Sequence, residues 1–135
     1  MHKAVISTKH FLIEGGCNAC GLKNISTFTI YYEDHSFQIL DGLDLFSLIK
    51  IISQKNGWKE LVINEGINDE KIIFKKGNSI IEPKYDSNRV TYKKKTEYIE
   101  LPRTFSSNKE LFDQANKILK HFFDIEPYEI AIVEP

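Results

Sequence analysis

Residues 105–135 read FSSNKELFDQANKILKHFFDIEPYEIAIVEP, and this stretch decides the fold. Ser107 followed three residues later by Glu110 is a capping-box signature, so a helix is expected to begin there. Leu111, Phe112, Ala115, Ile118, Leu119, Phe122 and Phe123 then share one helical face, with Lys109, Asp113, Asn116, Lys117 and Lys120 on the other. Pro127 disfavours helical geometry at Glu126, which puts the helix end near Asp124. Beyond it Tyr128, Ile130 and Ile132 alternate with Glu129 and Ala131 as a strand would. A helix with so apolar a face needs cover, and the cover expected is a sheet.

Working outward, residues 25–33 carry the clearest strand pattern, with Phe28, Ile30 and Tyr32 pointing one way and Thr27, Thr29 and Tyr31 the other. Asp34 and His35 turn the chain into an antiparallel partner over 36–40. Asp41 is expected to cap the next helix, with Asp44 near its positive end and Leu45, Leu48, Ile49 and Ile52 as its inward stripe. Asn56-Gly57 ends that helix, and Trp58 covers its last turn. Strands are expected over 61–64, 71–75, 79–82, 90–93 and 97–101, and Pro83 is expected to end its strand at a sheet edge. Short strands over 3–7 and 11–13, with a loop over 17–24, complete the reading. The order predicts an α+β fold: a mainly antiparallel sheet of about seven or eight strands with two helices packed on one face, residues 1–135 forming a single domain.

The composition agrees with a folded chain. Hydrophobic residues make up 41% and charged ones 27%, far from the polar, aromatic-poor balance of disordered segments. No apolar run approaches the roughly 20 residues that cross a bilayer, and the first residues lack the pattern of a secretory signal. No membrane association is therefore expected, and a cytoplasmic location follows. A net charge of −1 argues against a general nucleic-acid binder, whose affinity rests on neutralising phosphates. Sixteen of the eighteen basic residues are Lys and isoleucine is abundant, a bias associated with AT-rich bacterial and phage genomes.

The string Cys17-Asn18-Ala19-Cys20-Gly21-Leu22 resembles the second half of a GATA-type zinc finger. The chain has no other cysteine, so that family's upstream ligand pair is missing, and the residues that follow are strand-like rather than a basic helix. The resemblance is not carried further. A metal site built from Cys17 and Cys20 with His10, or a thiol function of the same pair, is the alternative the residues leave open. No metal, no cofactor and no catalytic residue is assigned: Gly-Lys-Ser/Thr, Gly-x-Gly-x-x-Gly and Gly-x-Ser-x-Gly patterns are all absent from the sequence.

Charge asymmetry is what remains. Between Lys71 and Lys95 lie Lys75, Lys76, Lys84, Arg89, Lys93 and Lys94, against Glu82 and Asp86, with Tyr85, Tyr92 and Tyr98 interleaved. Lysines of this kind also guard sheet edges against aggregation. Cations beside aromatic rings can equally hold an acidic or phosphorylated partner. Lys84, Arg89, Tyr92, Lys93 and Lys94 are the candidate binding residues. The function expected is that of a small non-enzymatic binding protein with a protein partner, in the manner of bacterial or phage immunity or inhibitor proteins. An anionic small molecule or nucleotide held by the same Lys/Tyr surface is the alternative.

Overall fold

The computed structural model describes residues 2–14 and 22–133. Over these described residues the fold is α+β, with nine strands and two helices, and the strands divide between two sheets where one was expected. The chain gathers into two compact units, Met1–Leu43 with Tyr128–Pro135, and Asp44–Pro127.

The first unit holds β1 (His2–Glu14), β2 (Leu22–Tyr32), β3 (Phe37–Leu40) and β9 (Tyr128–Val133), in the order β3-β2-β1-β9. β1 and β2 form one long antiparallel hairpin, so the two short strands expected over 3–7 and 11–13 are parts of a single element. β9 lies parallel to β1, the one parallel pairing among the described strands. Alternation puts Ala4, Ile6, Ile30 and Tyr32 on a buried face, and leaves Val5, Tyr31, Phe37 and Ile39 exposed on the other.

The second unit holds α1 (Leu45–Lys55), α2 (Asn108–Phe123) and five antiparallel strands in sequential order: β4 (Lys59–Gly66), β5 (Asp69–Lys76), β6 (Ser79–Tyr85), β7 (Arg89–Lys94) and β8 (Glu97–Pro102). The N-cap of α1 is Asp44, whose carboxylate accepts the Ser47 amide at 2.8 Å. Asp41, three residues upstream, does not have that role. Helix α1 ends in a Schellman turn: the Trp58 amide donates to the Ser53 carbonyl and the Gly57 amide to that of Gln54, with Gly57 at φ 91°. Ser107 caps α2 by accepting the Glu110 amide at 3.2 Å, and Asp124 closes it in the left-handed region.

Leu45, Leu48, Ile49 and Ile52 of α1, the apolar face of α2, and Phe74, Ile81, Val90 and Tyr92 of the sheet are all buried. Phe123 lies at the centre of an aromatic cluster, its ring centroid 4.9 Å from Trp58, 5.8 Å from Phe74 and 6.1 Å from Tyr92.

β6 changes partner along its length. Ser79–Ile81 pair with β5, whereas Glu82–Tyr85 pair with β7. Pro83 therefore sits inside an interior strand, opposite Tyr92, instead of ending an edge strand as its ring chemistry suggests. The pairing with β5 has already stopped at Ile81, so a missing N–H on that side interrupts no ladder.

Candidate functional site

The divergence of β5 from β6 opens the outer face of the five-stranded sheet. Alternation in register places Lys71, Ile73 and Lys75 of β5, Ile80, Glu82 and Lys84 of β6, Arg89, Thr91 and Lys93 of β7, and Tyr98 and Glu100 of β8 on the face opposite the helices. A cleft of ≈ 590 Å³ lies where the strands part, lined by Glu65, Lys71, Glu82 and Lys84 among others. A second cleft of ≈ 590 Å³, on the β7 side of β6, is lined by Asn78, Ser79, Ile80, Glu82 and Lys93 to Lys95.

Glu82 is common to both clefts. Lys71 reaches across the gap to it, ammonium to carboxylate, at 2.7 Å, and also lies 3.5 Å from Glu65. That hydrogen bond holds the Glu82 carboxyl below the usual carboxylate range, and the charges of Lys71, Lys93 and Lys84 add to the effect. The Lys71 amine is correspondingly raised, first by its bond to Glu82. Three cations thus lie about the Glu82 carboxylate, while Glu65, Asp69 and Glu70 line the far side of the cleft. The excess positive charge resides on Lys84 and Lys93, both exposed.

The sequence-based candidates separate into three groups. Lys84 and Lys93 are on the outer face and exposed. Arg89 shares that face, but its guanidinium meets Glu100 at 3.1 Å. Tyr92 and Lys94 point the other way. Tyr92 is fully buried among the helices' aromatic residues and offers no ring to a partner. Lys94 donates to the Phe122 carbonyl at 3.3 Å, in the last turn of α2, where a cation satisfies an otherwise unpaired helix carbonyl. The ring that adjoins Lys93 is that of Tyr98, directly opposite it on β8 and 70% exposed. Lys71 and Glu82 were not singled out from sequence. The signal was the Gly77-Asn78 turn, which sets the β5–β6 register, but the loss of pairing beyond Ile81 has no mark in the residues themselves.

Cys17 and Cys20 lie outside the described residues, as does the side chain of His10. Among the described residues no group of three or more His, Cys, Asp or Glu is placed to hold a metal ion. No described helix is long and apolar enough to cross a membrane.

Residues 1–132 match a family model described as a domain of unknown function, DUF4809. The chain belongs to the DUF4809 family. No curated protein and no solved structure matches it. For this DUF4809 chain the chemistry of the outer face therefore carries the functional reading.

Proposed function

We propose that this protein acts by binding, and that its partner is an acidic protein surface received on the outer face of β6–β8. The observation that supports this is the grouping of Lys71, Lys84 and Lys93 about the Glu82 carboxylate, with Lys84 and Lys93 exposed beside the Tyr98 ring and Ile80. Partly exposed cations attract a negatively charged surface at long range, while an aromatic ring and an aliphatic chain supply contact area on arrival. An immunity or inhibitor protein of a bacterium or phage, acting in the cytoplasm, is the kind of molecule this arrangement serves.

The test uses a fluorescent poly-glutamate peptide as a defined acidic probe. Binding by the parent protein is expected to weaken with salt, and the Lys84→Glu/Lys93→Glu double variant to lose roughly ten-fold in affinity at low ionic strength with an unchanged melting temperature. Equal binding by parent and variant at low salt would refute the proposal.

A second reading rests on the β7-side cleft, where Lys93 to Lys95 stand near Asn78 and Ser79. These groups suit a phosphate-bearing small molecule. Saturable calorimetric binding of ATP or inorganic phosphate, lost in Lys93→Glu, would favour it over the protein-partner reading.

A further inference from the structure

An exposed strand edge is a template for another strand, and soluble proteins ordinarily blunt it with charges, prolines or bulges along its length. β4 is the terminal strand of the five-stranded sheet, and among the described residues no strand pairs with its free side. Its centre is Leu61-Val62-Ile63, three consecutive apolar residues that are 40%, 58% and 41% exposed. Its register with β5 is regular from Lys59 to Asn64 and shifts only between Asn64 and Gly66. The protective device is thus at the end of the strand, and the middle is open.

The ends of the strand carry opposite charges, Lys59 before the apolar run and Glu65 after it. An antiparallel copy of the same segment reverses that order. With a two-fold axis at Val62, Leu61 faces Ile63 of the second copy, Glu60 faces Asn64, and Lys59 comes up against Glu65, which stands at the register shift and whose carboxylate also lies 3.5 Å from Lys71. Symmetry makes each of these pairs twice. Cross-strand apolar pairs and opposite charges both stabilise such a ladder, whereas like charges opposite one another weaken it. Moving the axis to Leu61 sets Lys59 against Ile63, and moving it to Ile63 sets Leu61 against Glu65. Only the Val62 axis matches apolar with apolar and cation with anion.

We propose that β4 is a homodimer edge, pairing antiparallel with β4 of a second copy of this chain about a two-fold axis at Val62, so that one sheet runs through both. A closed, isologous contact of this type uses up the β4 edge of both copies and does not propagate through it. It does not rest on the function proposed for the β6–β8 face, although Glu65 also lines the cleft beside Lys71.

Sedimentation of the full chain over a wide concentration range is expected to show a reversible monomer–dimer equilibrium. Lys59→Glu, and separately Glu65→Lys, should weaken the dimer by about ten-fold, because each creates two like-charge pairs. The Lys59→Glu/Glu65→Lys double variant restores the pairing with its charges exchanged and should recover dimerisation, which general damage to the fold would not do. Register is read separately. Val62→Cys should form an intermolecular disulfide under mild oxidation, identified by peptide mapping, since opposed residues lie about 4.5–5.5 Å apart at Cα, within disulfide range. Ile67→Cys, at a turn position that is 95% exposed, should not. A monomer at every concentration, failure of the double variant to recover, or cross-linking at residue 67 as efficient as at 62 would each overturn the proposal.

Discussion

Trp58 donates its indole N–H to the backbone carbonyl of Phe123 at 3.2 Å, and the two rings meet edge to face. The bond joins the turn that ends α1 to the last turn of α2, where a helix carbonyl has no partner within its own helix. Trp58 is buried, so this carbonyl has little recourse to water. Trp58→Phe keeps an aromatic ring but leaves the acceptor unpaired, and should lower unfolding free energy by about 1–3 kcal/mol. Trp58→Ala removes the ring as well and should cost about 3–5 kcal/mol. Urea titrations followed by circular dichroism read both, since the chain has no other tryptophan to report by fluorescence.

Tyr92 behaves differently. Its hydroxyl is buried with no hydrogen-bond partner among the described residues, while its ring packs against Phe123. Removing an unsatisfied buried polar group and keeping the ring should be neutral or stabilising. The expected result for Tyr92→Phe is a denaturation midpoint equal to or above that of the parent. A loss of more than about 1 kcal/mol would mean that the hydroxyl is satisfied in solution.

The same residue sets a response to alkali. Burial pushes the Tyr92 hydroxyl well above the ordinary tyrosine range, and the Asp44 carboxylate pushes it further. Tyr32 is raised too, first by burial and then by the neighbouring Tyr128 and Asp34. A raised folded-state value means that the unfolded chain loses its proton first, so stability is full below about pH 10 and falls as pH rises beyond it. Each such tyrosine should contribute a slope approaching ~1.4 kcal/mol per pH unit. Chemical denaturation between pH 8 and 11 should show the fall, and Tyr92→Phe should make it shallower.

Asp44 serves two partners at once. Its carboxylate caps α1 at Ser47 and accepts the Arg103 Nε–H at 3.0 Å. Arg103 also donates to the Asp86 carbonyl at 2.9 Å and lies over the Tyr85 ring. Asp44→Ala should cost about 1–2 kcal/mol through the cap alone, and more through the stranded guanidinium. Asp44→Asn keeps a capping oxygen and should lose less. Equal midpoints for the two variants would show that the ion pair carries most of the effect.

Local signals located most of the elements. Ser107 and Glu110 marked the start of α2, Asn56-Gly57 the end of α1, and alternation in β2 set which residues face inward, because each depends on neighbours a few positions apart. What escaped the sequence depends on pairing between distant strands. Asp41 and Asp44 are equally good caps by type, and the backbone's path selected the second. Pro83 looks like a strand terminator until β6 is seen to exchange β5 for β7 beside it. Tyr92 and Tyr98 are alike as residues, but opposite faces of the sheet make one a core ring and the other a surface one. The cluster around Glu82 requires three strands in register, and the acidic residue at its centre looked like a reduction of the basic patch.

The parallel pairing of β9 with β1 bears on how the chain is made. Residues 44–127 are contiguous, so all of the second unit's strands and helices leave the ribosome before β9 is synthesised. The sheet of the first unit, by contrast, has β1 and β9 side by side, and β1 waits through the synthesis of residues 15–127 for that neighbour. During that interval the side of β1 that β9 will occupy stands open to other strands in a crowded cell. Chaperone demand during synthesis should therefore fall on the β1–β2 hairpin until β9 has been made, even though both of its strands precede the whole second unit.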